Sequence, residues 1–183
     1  MRAFHPARCA CCADLLNSGL TRRNVLRGLG AAGAMLTVPR LARAATGNYE
    51  AMVLSCIDPR LQEPVHKYTE SRGLTGQYSQ FVIAGAAVGV VAEPFKDWRK
   101  AFWDNLATSV QLHGINAVIA IDHRDCGAAK IAYGDAKIAT KEIETATHRD
   151  ALMEFRRQVN ERQPKLKVET GLMALDGTIE MFG

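Results

Sequence analysis

The chain has 183 residues, 48% hydrophobic and 23% charged, with 15 Gly and 6 Pro. That is enough for one globular domain of ordinary core size, and it excludes collagen-like, coiled-coil and wholly disordered classes. The formal charge of +4 is unevenly held: residues 1–44 carry 7 Lys and Arg against one Asp, and the remainder 16 against 18 acidic groups. The basicity therefore belongs to the N-terminal segment, and a nucleic-acid partner, which needs a basic face on the folded domain, loses its support.

At the N-terminus, Thr21-Arg22-Arg23-Asn24-Val25-Leu26-Arg27 precedes an apolar stretch from Gly28 to Val38. A stretch of about eleven residues cannot anchor in a bilayer core, which takes roughly 20, so it reads as the apolar part of a signal. Ala42-Arg43-Ala44 is a small-x-small cleavage site. The segment resembles a twin-arginine export signal. It predicts a cleaved residue 1–44 peptide carrying Cys9, Cys11 and Cys12, a mature domain at 45–183, transient engagement of the twin-arginine translocase, no stable membrane anchor and a periplasmic location.

In the mature chain, Ala51 to Cys56 is a short apolar run closed by Asp58-Pro59 and predicts a buried strand. Phe81 to Ala84 predicts a second. Apolar positions at three- to four-residue steps from Phe95 to His113 predict a helix stopped at Gly114. Ala117 to Ile121 predicts a third strand, Thr147 to Gln163 a second long helix, Leu166 to Leu175 a fourth strand, and Thr178 to Met181 a short edge strand. Short apolar strands alternating with helices predict an α/β domain with a mainly parallel central sheet flanked by helices, whose ligands gather at the carboxyl ends of strands.

Two segments at such ends carry the chemistry: Cys56-Ile57-Asp58-Pro59-Arg60 and, 67 residues after Cys56, His123-Arg124-Asp125-Cys126-Gly127. Two thiolates and an imidazole suit zinc and leave a fourth position open. Zinc so held brings the pKa of a bound water toward about 7, the basis of a hydrolase or hydratase. Asp58 can accept a hydrogen bond from that hydroxide, with Arg60 fixing its carboxylate, or it can bind zinc itself and close the site; pairing with Arg60 decides between the two. A disulfide between Cys56 and Cys126 is the alternative use of the thiols, but it leaves Asp58, Arg60 and His123 without a role. His66, His113 and His148 read as surface or helix-end residues. Arg124 and Asp125 read as solvated turn residues.

C-x-D-x-R after one strand and H-x-x-C-G after another resembles the β-class carbonic anhydrase family over most of the mature chain. The resemblance implies one zinc per chain, held by Cys56, His123 and Cys126, and an Asp58–Arg60 dyad that orients hydroxide or releases Asp58 onto the metal. It implies reversible hydration of CO2 to bicarbonate and a homodimer or higher homo-oligomer. The chain departs from the family at two places. Ala84-Gly85-Ala86-Ala87 stands where Arg-Asn-Ala-Gly is common, which removes polar groups that brace the site, and Asp122 replaces a glycine before the histidine, which adds a carboxylate near the metal. Gln62 and Gln77 are the candidates for a pocket glutamine. Two other functions fit the same residues: hydrolysis of a CO2-like molecule such as carbonyl sulfide or carbon disulfide, and a catalytically silent zinc-binding sensor or structural protein.

Overall fold

A computed structural model describes residues 47–183; the proposed signal segment, with Cys9, Cys11 and Cys12, lies outside the described residues. The described elements are β1 (Ala51–Ser55), α1 (Gln62–Ser71), β2 (Tyr78–Val82), α2 (Ala87–Val91), α3 (Arg99–His113), β3 (Ala117–His123), α4 (Gly127–Tyr133), α5 (Lys141–Arg162), β4 (Lys167–Met173) and β5 (Ile179–Phe182). Short 3-10 turns cover Pro59–Leu61, Glu93–Trp98 and Asp135–Lys137. The sheet order is β2-β1-β3-β4-β5, parallel except for the antiparallel β4–β5 pair. Among the described residues no helix is long and apolar enough to cross a membrane.

The period-two alternation of the central strands sorts side chains to two faces. Met52, Leu54, Val118 and Ala120 pack against Phe102 and Leu106 of α3 and Leu152, Phe155 and Val159 of α5. Ala51, Val53, Ile119 and Ile121 face Leu61, with Val65 of α1 and Leu74. Every residue of β1 is buried, which explains its unbroken apolar run. The chain leaves β1 for β2 on one side and reaches β3 on the other, so the carboxyl ends of β1 and β3 lie side by side with diverging loops, the usual crevice of such sheets.

Three of the expected elements begin three or more residues away from the expected start, and α1, α2 and α4 were not among the expected elements. β2 starts at Tyr78, three residues before its apolar end, and Ile83 and Ala84 already belong to the following turn; an edge strand has one neighbour and tolerates Ser79 and Gln80. α5 starts at Lys141 behind a Thr140 N-cap whose hydroxyl accepts from the Ile143 N–H, six residues before the expected Thr147. Its first turns lack an apolar stripe and bury Glu144 and His148 instead. A 3-10 turn takes Glu93–Trp98, so α3 proper begins at Arg99; it ends as expected at Gly114, in the left-handed region at φ 58°.

Candidate metal centre

Cys56 follows β1, His123 ends β3, and Cys126 is the residue that caps α4. The register that sets Ser55 opposite Ile121 brings the two segments to one sheet edge. The ligand atoms of Cys56, His123 and Cys126 lie within 4.8 Å of one another, and all three residues are buried. Both cysteines are free thiols, so the disulfide alternative is not the form seen.

The donor chemistry of the cluster fits a soft divalent cation. His123 Nδ1 lies 2.8 Å from the Arg124 carbonyl, which can only accept, so Nδ1 carries the proton and Nε2 keeps its lone pair. That Nε2 is buried and has no hydrogen-bond partner. Cys56 is held well below the usual thiol range, chiefly by the thiol of Cys126, with His123 and the backbone N–H groups of Gly85 and Asp58 adding to it against the effect of burial. The neighbouring Cys56 sulfur and burial push Cys126 up. Burial alone would push His123 down, but the Cys56 thiolate and the Arg124 carbonyl outweigh it and the net direction is up. A cluster with one thiolate, a second thiol and an orphaned imidazole nitrogen is a zinc-type donor set, and these three residues would hold the ion.

Asp58 is not among the three. Its Oδ1 accepts from Arg60 N and Nε, both at 2.9 Å, and its Oδ2 from Arg60 Nη2 at 2.7 Å. Hydrogen bonding to Arg60 pulls its carboxyl down to about 2. Arg60 reaches further: Nη1 meets Asp125 Oδ2 at 2.7 Å and Nη2 the Asp125 carbonyl at 3.1 Å, so one guanidinium ties the loops after β1 and β3 together. Asp125 is thus not a free turn residue. It sits at φ 57°, and its N–H donates to Glu144 Oε1 at 2.6 Å, while Arg124 binds Glu144 Oε2 at 3.2 Å. Glu144, which belongs to no local motif, braces the His123–Cys126 loop from α5.

A cavity of about 360 Å³ opens beside Cys56, with walls that include Leu61, Gln62, Val65, Gln80 and Val82. Gln62 lines it and Gln77 does not; Gln80 supplies the second amide.

A family model described as "Putative carbonic anhydrase" matches residues 46–172. The chain belongs to that family. An uncharacterized protein of Rickettsia bellii (strain RML369-C) is 36% identical over 131 residues, covering 72% of this chain and 80% of its own length. Another from Rickettsia conorii (strain ATCC VR-613 / Malish 7) is also 36% identical over 131 residues, covering 72% and 70%. Among solved structures, the β-carbonic anhydrase CafA of the fungal pathogen Aspergillus fumigatus superposes with a TM-score of 0.53 at 13% identity, covering 92% of this chain and 91% of that one. The Coccomyxa β-carbonic anhydrase in complex with acetazolamide gives 0.51 at 13% identity, covering 95% and 87%. At such identities the likeness is one of fold: the chain has the β-carbonic anhydrase fold.

One expectation about this carbonic anhydrase family member holds in part and another needs correction. Asp122 does bring a carboxylate near the cluster, and its charge adds to the upward push on Cys126, but it is not among the clustered donors. Strand alternation puts it on the face of Val118 and Ala120, where Oδ1 accepts the Ala87 N–H at 2.9 Å and Oδ2 meets His148 Nδ1 at 2.8 Å. His148 is no surface residue: it is 0% exposed, because α5 lies over this end of the sheet. His66 is exposed, and His113 ends α3 half-buried, with its Nδ1 2.7 Å from Ser79 Oγ.

Proposed function

We propose that this protein catalyses the reversible hydration of CO2 to bicarbonate with one zinc held by Cys56, His123 and Cys126, as an exported periplasmic enzyme that works as a homodimer or higher homo-oligomer. The observation that carries the reading is the pairing of both Asp58 oxygens with Arg60, which keeps the carboxylate off the cluster and leaves three protein ligands. Zinc bound there supplies the nucleophile by acidifying a water. Asp58, held at about 2, remains a carboxylate throughout the physiological range and so acts only as an acceptor. Its Oδ2, which takes a single donor from Arg60, keeps a lone pair for a proton-bearing group in the site. Apolar walls at Leu61, Val65 and Val82 suit a small uncharged substrate, and the amides of Gln62 and Gln80 offer donors to an anionic product. Membership of the carbonic anhydrase family and the fold of the solved β-carbonic anhydrases support the same reading.

The test is stopped-flow CO2 hydration by protein of measured zinc content, near pH 7 and near pH 8.5. Activity that rises with pH at one zinc per chain is expected. Zinc-loaded protein inactive at both pH values overturns the anhydrase reading; turnover of carbonyl sulfide by that same preparation would then identify the substrate, and none would mark a silent zinc protein.

A further inference from the structure

A relay of contacts runs from α5 to a ligand sulfur. His148 and Asp122 form a pair whose side chains are 0% exposed. The carboxylate also accepts the N–H of Ala87, the first residue of α2. Immediately before it, Gly85 and Ala86 form a turn in which both residues have positive φ, 78° and 47°. At the near end of that turn the Gly85 N–H donates to Cys56 Sγ at 3.2 Å. The turn is closed by Ala86 N–H to the Ile83 carbonyl at 3.0 Å and Val88 N–H to the Gly85 carbonyl at 2.9 Å. Ala86 has a Cβ and is strained at this φ, so something outside the turn must hold it. Asp122 provides that hold.

His148 does not stay buried for its own sake. Asp122 is its one hydrogen-bond partner among the described residues, and its Nε2 is buried with no partner at all. The imidazole is fully buried, and an apolar side chain would occupy such a place at lower desolvation cost. What the imidazole adds is orientation: its Nδ1–H fixes the Asp122 carboxylate so that Oδ1 faces Ala87.

We infer that His148 and Asp122 are positioning residues for the metal centre, holding the Gly85–Ala87 turn so that the Gly85 N–H stays on the Cys56 sulfur. The inference rests on the zinc reading of the cluster. An N–H bond to a ligand sulfur drains charge from it and aims its remaining lone pairs, and groups in such supporting positions are typically worth 10- to 100-fold in metal affinity.

The test compares His148→Leu, His148→Asn and wild type in the full chain by zinc competition titration, by absorption of the cobalt(II)-substituted protein, and by melting of the metal-free forms. His148→Leu is expected to bind zinc about 10-fold more weakly and to shift the thiolate-to-cobalt band. His148→Asn, whose amide N–H stands where Nδ1–H does, is expected to restore both. If the Leu variant does not fold, His148→Gln, which moves the donor away from Asp122, takes its place with the same expectation. Wild-type zinc affinity and an unchanged cobalt band in the Leu or Gln variant overturn the inference while leaving the zinc reading intact. A fall in affinity that merely follows metal-free melting, and that Asn does not rescue, also overturns it, because it marks a purely structural pair. Wild-type protein that takes up no zinc overturns the metal reading and this inference together.

Discussion

Asp58 and Arg60 are two residues apart, and the proline between them starts a 3-10 turn that Asp58 caps, its side chain accepting the Arg60 N–H. Local geometry alone therefore brings the guanidinium onto the carboxylate. Asp58→Asn keeps all three ligands and is expected to retain zinc at one per chain while hydration falls about 100-fold, the lower range for loss of a proton-accepting group; undiminished turnover would remove Asp58 from the chemistry. Ala86 is a different kind of residue, one whose backbone is at odds with its side chain at φ 47°. Ala86→Gly relieves that strain, offset in part by the entropy of the unfolded chain, and is expected to raise stability by about 1 kcal/mol in urea denaturation. A loss of stability would show that the turn is not strained. The spacing of Cys56, Asp58, Arg60, His123 and Cys126 was readable because each lies in one of two short segments. Asp122–His148 and Asp125–Glu144 were not, because each pair joins residues 26 and 19 positions apart, and only the docking of α5 makes them neighbours.

Among the elements, α5 does the most to shape the site while showing the weakest pattern. Its later turns bury Ala151, Leu152, Phe155 and Val159 at helical spacing and were visible as a helix from Thr147 on. Its first turns hold Glu144 and His148 inward to serve the loop and the Asp122 carboxylate, so the apolar period fails there. α1 was missed for a related reason: of its ten residues only Val65 and Thr69 are buried. It is held to the sheet partly by charge. Arg72, which follows α1, binds Glu169 of β4 with N···O distances of 3.0 and 3.4 Å, and Lys167 adds a contact at 2.8 Å. Arg72, then Lys167, holds the Glu169 carboxyl below its usual value of 4.5. A depressed folded-state value contributes stability that is fully present above 4.5 and is lost as pH falls through the lower folded value. Glu169→Gln is therefore expected to lower stability at pH 7 modestly and to flatten the acid limb of a stability–pH curve. An acid limb identical to wild type would show that the contact contributes nothing.

For the whole molecule, the metal cluster joins two adjacent strand ends to the start of α4, so an ion bound there adds directly to folding free energy. At a free concentration a thousandfold above its dissociation constant a bound ion contributes about 4 kcal/mol. Chelation is expected to lower the melting temperature of wild type but not of Cys126→Ala, which should already be metal-free and melt low. Normal zinc content in that variant would remove Cys126 from the ligand set. Beside the centre, Ile57 is 58% exposed and Val82 45%, and among the described residues β2 has a strand neighbour on one side only. Apolar side chains and an edge strand at the cavity mouth suit a subunit contact, so light scattering on the purified protein is expected to give a dimer or larger species. A fully active monomer would overturn the oligomer proposal.

The central strands, the α/β class and the candidate ligands could be read from the chain because their signals are local: apolar runs of strand length, breakers behind them, and ligand types packed into two short segments. What only the tertiary structure decided is what surrounds those ligands. Whether Asp58 lies on Arg60 or on the cluster, which face Asp122 takes, and why a histidine is buried on α5 all depend on strand order and helix docking. Those are set by the burial of whole faces, a sum over many residues that no short segment contains.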